Sequence, residues 1–243
     1  NNLLLKIVHG ESLTKKIHFR YHNAVLKKLY KEFSYLINPS RYVEDEFQEN
    51  SPINRVVWVM WWQGEAQAPP LVKACIDSIR SNFPNHQIVI IDEHNYKTYT
   101  NLPDVIYKRF DENIIDVTKL SNFIRMNLLF NRGGIWIDST YFISRPLEDS
   151  IINSNFFMIK SLRKSGYRNP ALSRWSSNFI IGKQGDPLFK FLQDFHISYY
   201  SQEDYLIDYQ LMDYIFEIAY RENIASFRDR IDEIGGSLYK WKY

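Results

Sequence analysis

Apolar positions along the chain change rhythm at residue 50. Before it, Leu13, Ile17, Tyr21, Val25, Leu29 and Phe33 recur every four residues. Lys15, Lys16, Arg20, Lys27, Lys28 and Lys31 fall between them, so residues 11–37 read as a basic amphipathic helix. Such a helix can lie on an anionic membrane surface, or pack on the domain with a solvated cationic face. Pro39-Ser40 and the acidic run in 43–50 (VEDEFQEN) end this region. From Pro52 the pattern turns to short, wholly apolar runs. Residues 55–61 (RVVWVMW) and 87–91 (QIVII) have the character of parallel strands buried on both faces. Between them Gln63-Gly64 closes the first run and Pro69-Pro70 opens a helix through about Asn82, proline being favoured at a helix start. Strand, helix, strand at this spacing predicts a right-handed βαβ unit.

Residues 118–131 predict the clearest helix. Leu120, Phe123, Ile124 and Leu128 share one face, and Ser121, Asn122 and Arg125 another. Gly133-Gly134 stops it, since a helix end often needs positive φ, and Ile135-Trp136-Ile137 follows as a third buried strand. Further on, residues 178–181 (NFII) read as a strand, Pro187–Phe195 as a helix and Asp204–Arg221 as a longer one. The fold class expected is α/β: a Rossmann-like, mostly parallel central sheet flanked by helices over residues 51–243, with an added helical region at 1–50. The chain stops in a charged aromatic run, where a continuation is expected.

Composition narrows the picture little. Apolar residues are 45% and charged residues 24% of 243, ordinary for a globular protein. Aromatic residues at 16% suit stacking on sugars or bases, or simply fill a core. Net charge is +2, yet residues 1–42 hold eight Lys/Arg against Glu11 and Glu32. A free nucleic-acid binder would carry a more extensive basic surface, so no nucleic-acid partner is expected. Cys75 is the single cysteine, which excludes a disulfide framework and favours a reducing compartment. No apolar run approaches the roughly 18 residues of a membrane span, and no secretory signal pattern is present. Dinucleotide, P-loop, nucleophile-elbow and zinc-protease signatures are missing. His18 and His22 have helical metal spacing without a third ligand.

In open α/β sheets ligands bind beyond the carboxyl ends of the strands, where Asp138 directly follows a buried run. An ionised carboxylate there needs a partner, a hydrogen-bond network or a metal; the alternative is an Asp capping the turn. If the strand continues, Thr140 shares a side with Asp138 and Ser139 is opposite. Oxygen ligands of this kind suit Mg²⁺ or Mn²⁺. Asn122 and Arg125, three apart on the preceding helix, share a face that the double-Gly turn can bring near the strand end. Arg125 can pair a phosphate bidentately and Asn122 can bond a sugar hydroxyl.

Ser121-Asn-Phe-Ile-Arg125, Leu128-Leu129 and Gly133-Gly-Ile-Trp-Ile-Asp138 together resemble the capsular polysaccharide synthesis proteins related to glycosyltransferase family 32, over about residues 53–233. Trp61-Trp-Gln-Gly64, Asn178-Phe-Ile-Ile181 and Tyr205-Leu-Ile-Asp-Tyr209 add to it. The resemblance implies a GT-A fold, shared with the clostridial toxin glucosyltransferase domains. It also implies a configuration-retaining enzyme that moves a hexose, glucose or galactose, from a UDP-sugar. The acceptor implied is a saccharide on undecaprenyl diphosphate in bacterial capsule synthesis, with the enzyme cytoplasmic or peripheral on the inner membrane face. Position by position, Trp61, Trp62, Gln63 and Gly64 would border the base and ribose. Asn122, Arg125, Gly134, Asp138 and Ser139 would complete the donor site. Asp138 would be the first acid of a D-x-D element, holding Mn²⁺ or Mg²⁺ with Thr140. Two departures stand out: Asn122 where the family commonly has Asp, and Thr140 in place of the second acid. Asp208 and Asp204 are candidates to complete the site, Asp208 as a catalytic group. The competing expectation is a non-catalytic carbohydrate-binding module, which would more often be all-β.

Overall fold

The computed structural model describes residues 2–43, 54–160 and 166–234; most of the acidic run and the boundary expected at residue 50 lie outside them. In chain order the elements are α1 (Asn2–Glu32), β1 (Val56–Met60), α2 (Pro70–Asn82), β2 (Gln87–Ile91), α3 (Tyr96–Tyr99), α4 (Asp104–Asp111) and α5 (Val117–Arg132). They continue with β3 (Gly134–Ile137), α6 (Asp149–Ile152), β4 (Phe156–Ile159), β5 (Ser176–Gly182), α7 (Pro187–Gln202), α8 (Leu211–Arg221) and α9 (Phe227–Glu233).

The strands form one sheet in the order β2-β1-β3-β5-β4. β1 pairs in parallel with β2 and with β3, as a βαβ crossover requires. β5 is antiparallel to both β3 and β4, so four of the five strands run one way. The result is the mixed α/β sandwich expected. Alternating side chains divide the core into two layers. Trp58, Trp136, Met158 and Ile180 point to the face covered by α1, α4, α5, α7 and α8. Val57, Val59, Ile135, Ile137 and Ile181 point to the face covered by α2 and α6. Cys75 is free and buried on α2, a core residue.

The every-fourth stripe of α1 behaves differently from a simple core face. A helix turns about 100° per residue, so a period of four drifts by about 40° at each step. The stripe therefore winds around the helix. Val25, Leu29 and Phe33 are buried, with Phe33 against Phe195 of α7 at 5.1 Å between ring centres. Leu13, Ile17 and Tyr21 are exposed. The helix also starts earlier than the pattern suggests and stops at Glu32, where two short 3₁₀ turns around Ser34–Leu36 and Pro39–Arg41 take over. Among the described residues, no helix is long and apolar enough to cross a membrane.

The joint between α5 and β3 fixes the site. Gly133 caps α5 at φ 65° and its amide bonds Leu129 O, while Trp58 Nε1 donates to its carbonyl at 2.9 Å. Gly134 has φ 103°, and a Cβ there would lie 2.6 Å from Val56 O. Only glycine meets both demands, so α5 can fold back tightly over β3.

Candidate functional site

Beyond the C-terminal ends of β1 and β3 lies a cleft of about 480 Å³. One wall is Met60-Trp61-Trp62-Gln63, another is the first turns of α5 with Lys119, Asn122 and Arg125. Asp138, Ser139 and Thr140 form the floor with Ser177 and Asn178 of β5, and Tyr209–Asp213 closes the far side. Its size is that of a small-ligand site, and it sits where open α/β sheets bind ligands.

Arg125 and Asp138 are its centre. Arg125 is only 5% exposed. Its Nη2 donates to Asp138 Oδ1 at 3.0 Å and its Nη1 to Ser177 O at 2.7 Å. The guanidinium lies over the Trp136 ring, 4.8 Å from the centroid. Trp136 Nε1 in turn donates to Asp138 Oδ1 at 2.6 Å, because residues two apart on a strand share a face. Burial pulls the Arg125 pKa down, and the Asp138 and Asp213 carboxylates oppose that shift. Arginine stays cationic across the biological range. Arg125 Nε is buried without a hydrogen-bond partner.

The chain does not stay extended past Asp138. Tyr141 N bonds Asp138 O at 2.9 Å, closing a turn in which Ser139 is buried and Thr140 exposed. The alternation expected for an extended strand is lost, and Asp138, Ser139 and Thr140 all line the cleft. Both hydrogen bonds to the Asp138 carboxylate use Oδ1. Asp138 Oδ2 and the Ser139 and Thr140 hydroxyls are oxygen groups on one cleft, the ligand type that Mg²⁺ or Mn²⁺ takes. Among the described residues, no group of three His, Cys, Asp or Glu could hold a metal.

Trp61, Trp62, Gln63 and Asn122 all line the cleft. Trp62 is fixed from behind by Tyr96 and Phe110, at 5.2 and 5.5 Å between ring centres. Gly64 and Gly134 do not line it: Gly64 sits in the turn facing Asp92, and Gly134 is at the opposite end of β3. Nor do Asp204 and Asp208. They are not on a helix, because α8 begins only at Leu211. Asp204 is exposed, and Asp208 accepts from Tyr21 of α1 at 2.8 Å and from the Gln210 amide at 2.7 Å. His22 is likewise structural, bonded to the Tyr214 hydroxyl at 2.6 Å.

The carboxylate that does reach the cleft from this region is Asp213, in the first turn of α8. Burial pushes its pKa up to about 6, against the Asn169 hydrogen bond and the Arg125 charge, while Asp208 reinforces the rise. The signal in the sequence was an apolar helix, LMDYIFEIAYR, broken by two acids four apart. Glu217 takes both Arg174 and Arg221, whereas Asp213 has no direct cationic partner among the described residues.

A family model described as capsular polysaccharide synthesis protein matches residues 6–237. Over 147 residues the chain is 26% identical to the O-glycosyltransferase braB of Annulohypoxylon truncatum, covering 55% of this chain and 35% of that protein. The chain thus matches about a third of that relative's length. Among solved structures, the PaToxG glycosyltransferase aligns with a TM-score of 0.46 at 13% identity, over 91% of this chain and 90% of that one. Because the family match runs over nearly the whole chain, sheet and cleft included, the chain belongs to the capsular polysaccharide synthesis protein family.

Proposed function

We propose that the protein is a retaining glycosyltransferase that takes a UDP-hexose, with glucose or galactose as the sugar, and passes the hexose to a saccharide carried on undecaprenyl diphosphate. The observation that carries this reading is the ion pair of buried Arg125 with partly exposed Asp138, in a cleft with tryptophans on one wall. Trp61 and Trp62 offer aromatic faces for the uracil, and Gln63 offers an amide for its edge or the ribose. Nη1 and Nη2 of Arg125 each keep one N–H not used by Asp138 or Ser177, leaving capacity for diphosphate oxygens. Asn122 is positioned on the same helix face for a sugar hydroxyl. A divalent cation on Asp138 and Thr140 would neutralise charge on the diphosphate as it leaves.

Transfer is then a front-face displacement. The acceptor hydroxyl oxygen forms a bond to the anomeric carbon while the bond from that carbon to the diphosphate breaks. The departing diphosphate oxygen takes the hydroxyl proton, so configuration is retained without a covalent sugar–enzyme intermediate. An α-linked donor giving a β-linked first product by NMR would overturn retention.

The central test is donor binding and slow donor hydrolysis. UDP is expected to bind by calorimetry, and UDP-glucose or UDP-galactose to be hydrolysed faster with Mn²⁺ than without. Absence of UDP binding together with absence of turnover for any nucleotide sugar would move the assignment to a carbohydrate-binding module.

The exposed face of α1 supports a peripheral membrane location. Leu13 and Ile17 are more than half exposed, beside exposed Lys16, Arg20, Lys27 and Lys31. Apolar side chains next to cations suit an anionic bilayer surface. The protein should co-sediment with vesicles containing phosphatidylglycerol and be released as salt rises. Equal recovery with purely zwitterionic vesicles would remove this part of the reading.

A further inference from the structure

We propose that Asp213 is the hydrogen-bond acceptor for hydroxyl groups of the donor hexose, and so the residue by which the cleft distinguishes a nucleotide sugar from its nucleotide. This rests on the donor-site reading and sharpens it. Asp213 enters the cleft from α8, which packs on α7 and α9, whereas the tryptophan wall follows β1. Its side chain is partly buried, with Asn169 close enough to favour the carboxylate and the Asn169 Oδ1 fixed by the amides of Ala171 and Ser173.

What it can face follows from charge. A diphosphate beside Asp213 would add a second anion to a carboxylate whose ionised form burial already disfavours. Asp138, the other cleft carboxylate, is bonded by Arg125 and Trp136. The groups that suit an ionised, incompletely solvated carboxylate are neutral donors, and a hexose is rich in them. Charge-assisted hydrogen bonds to hydroxyls would replace water that the closing ligand expels. They also favour the ionised form, which ties sugar recognition to pH. The charged groups around Asp213 are Arg125 of α5 and Asp208 of the preceding loop. Arg125 does not titrate in this range, and Asp208 is common to wild type and variant.

The experiment compares calorimetric affinities for UDP and UDP-hexose in the wild type and in Asp213→Asn, from pH 5 to 7.5. The wild type should prefer UDP-hexose increasingly as pH rises through about 6, the value to which Asp213 is pushed. Asp213→Asn should bind UDP within about twofold of wild type but lose tenfold or more in UDP-hexose affinity, with a flat pH profile, as expected for losing charge-assisted bonds. Should Asp213→Asn fail to fold, Asn169→Ala serves instead: losing a hydrogen bond that favours the carboxylate should move the midpoint to higher pH. Normal UDP binding with unchanged sugar preference and pH profile overturns this proposal alone. If the wild type does not bind UDP, the donor-site reading falls as well.

Discussion

Asp138→Asn should lower sugar transfer by at least about 100-fold while the protein keeps its fold. The size is that expected when one group stabilising developing charge is removed. The asparagine oxygen can still accept from Trp136 Nε1 and from Arg125 Nη2, so both bonds that Oδ1 makes survive in kind. What disappears is the negative charge, and with it the ion pair to Arg125 and the anionic ligand for a divalent cation. Alanine is a poorer test of chemistry. It would strand a guanidinium whose side chain is 6% exposed, and breaking a buried pair from one side costs about 3 kcal/mol or more. Activity lost with alanine would confound catalysis with packing. For Asp138→Asn, turnover and thermal melting are measured on one preparation. Transfer within tenfold of wild type would remove Asp138 from the centre of the site.

How much of this could be read from the residues depends on what kind of information each feature needs. Strands were legible because consecutive apolar residues admit few other readings; Gln87–Ile91 has the bounds expected, but as the sheet-edge strand it is only partly buried rather than buried on both faces. α5 and β3 were legible because a helical face, a double glycine and an apolar run occur in sequence. Phe156–Ile159 was not read as a strand: four residues carry no periodicity, and its place at the sheet edge comes from pairing with β5. The stretch 204–210 failed for the opposite reason. It continues an aromatic-rich pattern into α8, yet Tyr199 holds it as a loop by bonding Tyr205 O and Ile207 N. Asp208, the acid that a helix through this stretch would favour, is instead occupied by Tyr21 of α1. Asp213, four residues past Tyr209, stands out only because α8 starts at Leu211 and turns it into the cleft. Arg125 illustrates the same limit in reverse. Its position was legible, but its burial against Trp136 depends on how α5 folds over β3, and its bond to Ser177 of β5 spans 52 residues of chain.

The Arg125–Asp138 pair should also show itself in stability, with a strongly non-additive cycle. Asp138→Ala is expected to cost about 3 kcal/mol in the wild-type background, because Arg125 keeps its charge with its side chain 6% exposed and only Ser177 O as a direct partner. Arg125→Met should cost less, about 1–2 kcal/mol. Methionine is flexible and apolar enough to fill the space over the Trp136 ring. The Asp138 it leaves behind is 27% exposed and keeps the Trp136 hydrogen bond. In the Arg125→Met background, Asp138→Ala then has no stranded cation to create and should cost about 1 kcal/mol, for the acceptor that Trp136 Nε1 loses. The coupling of about 2 kcal/mol lies within the range found for contacting residues. Urea unfolding of the four proteins measures it, and additive losses would show that the two side chains do not act as a pair. The double variant joins this to function: it should be nearly as stable as Arg125→Met alone yet transfer no sugar. A pair that can be removed at so little cost to the fold, and only with loss of activity, is kept for what it binds.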